Sequence, residues 1–235
     1  MKRFYKTAAS EASADGFALL LDGRPAKTPL RAPLAAPTSA LADALAVEWD
    51  AQTDQVDPLA MPLTRIACAA IDHTTPNRAE TVAGLVAYGE TDLLCYRAEN
   101  PRPLVARQSE AWDPIIAWAA DAYDAPLRLS AGVVPAQQPA QALTALRGAL
   151  DVRGPWTLAG LSAAVDALGS LLLGLALADG RLDADAAFAA SRVDEDWQRE
   201  QWGADEEADA RAAHLRADLD AAARFMALVE NGGHP

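Results

Sequence analysis

Between Ser191 and Arg211 the chain reads SRVDEDWQREQWGADEEADAR, which sets two tryptophans, Trp197 and Trp202, inside a run of carboxylates. Pairs drawn from Asp194, Glu195, Asp196, Asp205, Glu206 and Glu207 have the chemistry for general acid-base work or for holding a hard cation. No nucleophile, metal-ligand set or phosphate loop stands beside them in the sequence, so these residue types fit a docking surface better than an active site. Read as one helix from about Asp185, the segment sorts by the 3.6-residue period into two stripes. Ala186, Ala190, Val193 and Trp197 form an apolar stripe, and Phe188, Arg192, Glu195, Arg199 and Trp202 form one that mixes aromatics with charge. A mixed stripe packs poorly in a dry core and suits a partner. The same charges also fit ordinary helical pairs on a solvated face, Arg192 with Asp196 and Glu195 with Arg199. The acids at Asp205–Glu207 equally fit a helix start after Gly203, where they would complement the helix dipole.

Other signatures of catalysis fail one by one. The last lysine is Lys27, so no Walker-type phosphate cradle exists and no nucleotide is expected to bind. Ser170 sits in LGSLLLG without the flanking glycine pattern of a nucleophile elbow, and reads as a mid-helix structural serine. Gly169 and Gly174, on the same expected helix, allow close helix approach. Cys68 and Cys95 belong to no CxxC, and with His73 and His214 they make only a scattered ligand set, so neither a metal nor another cofactor is expected. Two rival readings keep an acidic scaffold with another client, or a carboxylate-dependent metal hydrolase.

Composition narrows the classes further. The 235 residues are 51% hydrophobic, much of it alanine, and 23% charged, which gives a globular chain biased to helix. A net charge of −13 repels phosphate backbones, so nucleic acid is excluded as the main partner and a basic partner surface is expected. The run ALGSLLLGLALA, Ala167–Ala178, lies between Asp166 and Asp179 and is far shorter than the ~20 residues that cross a bilayer. It reads as a buried helix, with no stable membrane insertion. The start, MKRFYKTAAS, carries neither an apolar signal region nor an Arg/Ser-rich presequence, so the expected home is the bacterial cytoplasm, or the mitochondrial matrix for a processed form.

The elements that must position these residues change character along the chain. FALLL runs into Asp22-Gly23, a tight-hairpin dipeptide, with FYKTA as a further strand and RPAKTP returning at an edge because Pro25 and Pro29 lack donors. Thr38 or Ser39 caps a helix carrying Leu41, Leu45 and Trp49. Beyond Pro62 the pattern is helical: Leu63–Ile71, a second helix opened by Thr75-Pro76, and a segment from Leu104 through Ile116 that Pro114 could kink. An extended connection is expected around Val133-Val134, then helices near Ala140–Leu150, Trp156–Ala178, Asp183–Gln201 and Glu206–Glu230. Trp49, Trp112 and Trp156 are expected core anchors. The fold class is α+β: a small N-terminal β-containing domain, residues 1–60, with hairpin or meander and one helix, followed by a larger all-helical domain, 61–235.

In order, the chain carries KRFYK, LDGRPAKTP, EWDAQ, MPLT, YGETDLLCYR, QSEAWDP, GSLLLGLALADG and DEDWQREQWGADEEA. With these motifs it resembles, over nearly its whole length, the assembly-chaperone family that protects the α subunit of the F1-ATPase. The resemblance implies a non-enzymatic, ATP-independent chaperone that holds the unassembled α subunit by surface later given to the β subunit. It carries the partner-binding role to Asp194 and Glu195 and to Glu48 with Trp49, the last being either structural or interfacial. It also favours the partner reading of the face formed by Phe188, Arg192, Glu195 and Trp202.

Overall fold

Asp22 and Gly23, with φ of 50° and 75°, close the expected tight hairpin in the computed structural model, which describes residues 2–132 and 136–230. Strand β2, Gly16–Leu21, is central: β1 (Ala8–Ser13) pairs antiparallel along one side. The short strands β3 (Arg24–Pro25) and β4 (Ala35–Ala36) pair along the other. The backbone N–H groups of Thr7 and Lys6 donate to the Asp22 carboxylate and hold it below the usual carboxylate range. FYKTA, expected as a strand, contributes only Ala8 to β1. Tyr5 is buried and donates its hydroxyl to the Trp49 carbonyl at 2.6 Å.

The first hairpin, at Ala14-Asp15, has no strong dipeptide signal and depends on Gly16. Its φ is +116°, and a Cβ there would lie 2.4 Å from the Ala36 carbonyl oxygen. Gly16→Ala is therefore expected to cost about 1–3 kcal/mol from backbone strain, before the clash with β4 is counted, and urea denaturation should show it.

Thr38 caps α1, Ser39–Asp50, as expected: its hydroxyl accepts from Leu41 N–H and donates to the Leu228 carbonyl. Next come α2 (Pro62–Ala69), a π-helical turn at Ala70–Thr74, and α3 (Arg78–Glu90). Pro76 thus lies in the turn before α3 and does not open it. Helix α4, Arg102–Tyr123, runs through Pro114 without ending, and α5 covers Ala140–Asp151. The expected extension at Val133-Val134 lies outside the described residues. Two-residue strands β5 (Tyr96–Arg97) and β6 (Ser130–Ala131) pair in parallel.

Two expected long helices are each broken. Trp156–Ala178 divides into α6 (Pro155–Leu168) and α7 (Leu171–Ala178), with Gly169 at φ +66°. Ser170 is not mid-helix: it is the N-cap of α7, accepting from Leu173 N–H at 3.1 Å. Gly174 does permit close approach, since a Cβ there would fall 2.5 Å from Val165 Cγ2. The second break separates α8 (Ala184–Ser191) from α9 (Val193–Trp202), at Arg192 with φ −110° and ψ 8°. Gly203 then ends α9, and Asp205 caps α10, Glu206–Glu230, by accepting from Glu207 N–H.

By contacts the described chain forms two units that are not simple sequence halves: residues 2–78, 154–160 and 221–230, and residues 79–132, 136–153 and 161–220. In the first, Leu19, Leu34, Leu41, Leu45 and Leu63 are fully buried, and Trp156 stacks on buried Phe225. In the second, Trp112, Leu94, Leu146 and Leu150 form the centre. The architecture is α+β, a strand-containing N-terminal region followed by helices. No helix among the described residues is long and apolar enough to cross a membrane.

Candidate partner-binding surface

The break at Arg192 dissolves the single stripe expected for Phe188, Arg192, Glu195, Arg199 and Trp202. Phe188 belongs to α8, where the Arg216 guanidinium lies 5.6 Å from its ring centroid, itself held by Asp185 at 2.6 Å and Asp220 at 2.8 Å. Phe188 is thereby half-covered. Arg192 reaches Glu195 at 3.3 Å across the junction, which is an i,i+3 pair in place of the expected Arg192–Asp196.

What remains continuous is the outer face of α9. Glu195, Arg199 and Trp202 recur at spacings of four and three, so they lie along one side. Trp202 is 80% exposed, and Arg199 turns to Asp209 at 3.3 Å rather than to Glu195. An exposed indole at a helix end, flanked by carboxylates, has the make-up of an interface anchor.

The neighbouring acid has a different setting. Asp194 is half-buried and accepts from Gln108 Nε2 at 2.6 Å, while the Gln108 carbonyl oxygen accepts from Ala98 N–H at 2.8 Å. Gln108 is itself buried, so Asp194 ties α9 to α4. Trp197 lies under the Arg107 guanidinium at 5.1 Å, and Arg107 grips Glu200 through two hydrogen bonds of 2.8 and 3.0 Å. That bidentate bond holds the Glu200 carboxyl below its usual range. In the sequence Gln108 stands at helical spacing with Leu104, Trp112 and Ile115, but its role there is not legible, because its partners Asp194 and Ala98 are supplied only by the fold.

Glu48 and Trp49 belong to the other unit. Both Glu48 carboxylate oxygens accept 2.8 Å hydrogen bonds at the start of α2, from Leu63 N–H, Thr64 N–H and the Thr64 hydroxyl. They supply the cap that α2 lacks locally. Trp49 is half-buried against Tyr5, with ring centroids 5.6 Å apart, and its buried indole N–H has no hydrogen-bond partner among the described residues.

Among the described residues no group of three or more His, Cys, Asp or Glu is placed to hold a metal ion. Burial and the nearby acids Asp72 and Asp92 raise the two thiols, Cys68 to about 11 and Cys95 to about 12, which makes both poor nucleophiles at neutral pH.

Residues 2–120 match the family model of the ATP12 chaperone protein. The fold is similar to the crystal structure of Atp12 from Paracoccus denitrificans, at 46% identity and a TM-score of 0.92, over 97% of this chain and 98% of that one. It is similar as well to a solved protein of Agrobacterium tumefaciens, at 41% identity and a TM-score of 0.93, over 97% of this chain and 86% of the other. The mitochondrial protein atp12 of Schizosaccharomyces pombe is 25% identical over 219 residues, 88% of this chain and 75% of that protein. The chain belongs to the ATP12 chaperone family.

Proposed function

We propose that this protein is an ATP-independent chaperone that binds the unassembled α subunit of the F1-ATPase and keeps it from aggregating until it joins the β subunit. It works by binding alone, without an enzymatic step or cofactor, in the bacterial cytoplasm or the mitochondrial matrix. A subunit awaiting its neighbour exposes apolar interface that otherwise self-associates. The observation that carries the reading is Trp202, 80% exposed at the end of an acid-rich helix in a member of this family. Glu195, paired with Arg192, lies on the same face, Asp194 ties that helix to α4, Phe188 packs under Arg216 on the preceding helix, and Glu48 and Trp49 order the strand-containing unit.

Co-purification with isolated α subunit tests this, with β subunit and assembled α3β3 as controls. Free α should be captured and α3β3 should not; equal capture would remove the hand-off, because the masked surface could not then be the future subunit interface. Trp202→Ala and Glu195→Arg are each expected to weaken α binding at least tenfold, about 1.4 kcal/mol, at unchanged melting temperature. Both side chains are exposed, so little folding energy rests on them. Affinity unchanged in both variants would move the binding surface off α9.

A further inference from the structure

The strand-containing unit holds a cleft of about 1210 Å³ that none of the residues on α9 enters. Tyr5, Leu21, Val56 and Met61 are buried beneath it, while Phe4 and Leu30, each 64% exposed, stand among its lining residues. Single exposed apolar residues are ordinary on a protein surface, but two that share one apolar cleft form a patch that water covers poorly.

The charge at this cleft is opposite to that of the molecule. The whole chain carries −13, yet Arg24, Lys27, Arg31 and Arg65 line the cleft against two carboxylates, Asp22 and Asp72. Those two acids are turned to internal donors. Asp22 accepts from Lys6 and Thr7 N–H at 3.0 Å, and Asp72 from the Thr28 hydroxyl at 2.6 Å and Leu30 N–H at 3.1 Å. Arg24, Lys27 and Arg31 are exposed and make no ion pair among the described residues. Small-molecule pockets run to about 1,000 Å³ and carry a few convergent polar groups. This cleft is larger, and its polar groups are dispersed cations.

We infer that this cleft is a docking groove for an apolar segment of the client polypeptide flanked by carboxylates. The apolar floor takes the segment's side chains and the cations meet its acidic flanks. The identity of the client rests on the function proposed above; the chemistry of the groove does not.

Fluorescence anisotropy on the full chain tests the groove with labelled peptides: one apolar core flanked by glutamates, and the same core flanked by lysines. The glutamate-flanked peptide should bind saturably, at least tenfold tighter than the lysine-flanked one, and weaken with added salt. Leu30→Ser and Lys27→Glu/Arg31→Glu should each lower that affinity at least tenfold, whereas Trp202→Ala should leave it unchanged. Circular dichroism melts confirm that the variants fold. No saturable binding, equal binding of the two peptides, full affinity in both groove variants, or preference for anionic phospholipid vesicles would each overturn the inference. Capture of α subunit is scored in parallel. Groove variants that still capture α with full affinity remove the groove and leave the function, while specific peptide binding without α capture removes the function and leaves the groove.

Discussion

Replacing Asp92 with alanine is expected to lower stability by at least about 3 kcal/mol, because several buried neutral donors lose their common acceptor. Asp92 is fully buried between the short helical turn Leu93–Cys95 and the start of α7. One carboxylate oxygen accepts from the Ser170 hydroxyl at 2.8 Å and Leu94 N–H at 3.1 Å, and the other from Leu172 N–H at 3.0 Å. Alanine would leave all three donors buried and unsatisfied, at roughly 1–3 kcal/mol for each group that water cannot reach. Chemical denaturation measures the loss; less than about 1 kcal/mol would mean that these donors find other partners.

The pH dependence gives a second check on the same residue. Burial raises the Asp92 carboxyl above the usual carboxylate range, against the hydrogen bonds from Leu172, Ser170, Leu94 and Leu171 that favour its charged form. The folded chain therefore keeps this proton over a window in which the unfolded chain has released it. Through that window, from the unfolded value upward, stability falls as pH rises. Asp92→Asn removes the titration, so the stability difference between wild type and Asp92→Asn should shift against the wild type as pH increases across it.

The parts of this fold written in local chemistry were legible. Asp22-Gly23, Thr38 before the Leu41 and Leu45 stripe, Gly203 with the acids after it, and the bounds of α10 all follow from turn and capping rules, which act within four residues. The two broken helices were legible only in part. In ALGSLLLGLALA nearly every residue is apolar, so hydrophobic periodicity has no phase, and the Gly169-Ser170 break is marked only by the pair itself. At Arg192 there is neither glycine, proline nor a capping side chain, and the α8–α9 junction is stabilised from far along the chain. The candidate surface suffered accordingly, because a stripe drawn through residue 192 assumed one continuous helix. Charge composition could show an acidic protein, but not that its cations gather at a cleft: Arg24, Lys27 and Arg31 fall at helical spacing in a stretch that is no helix, and Arg65 comes to them from α2.

The junction itself should respond strongly to Trp112. Its ring is fully buried, the Arg97 guanidinium lies 5.2 Å from it, and its indole N–H donates to the Ala190 carbonyl at 2.7 Å. Ala190 sits in the last turn of α8, where the chain leaves the helix and its carbonyl needs a partner from elsewhere. Trp112→Ala is expected to cost about 3–5 kcal/mol through lost burial and the cavity left behind. Trp112→Phe keeps most of the volume but leaves that carbonyl unpaired, so it should cost about 1–3 kcal/mol. If this bond also sets the direction in which α9 departs, the phenylalanine variant will weaken α-subunit binding even where it is fully folded, because Glu195 and Trp202 are carried by that helix. Denaturant midpoints and binding affinities measured on the same samples decide it. A phenylalanine variant that loses stability yet binds with full affinity would show that Trp112 supports the core without orienting the surface.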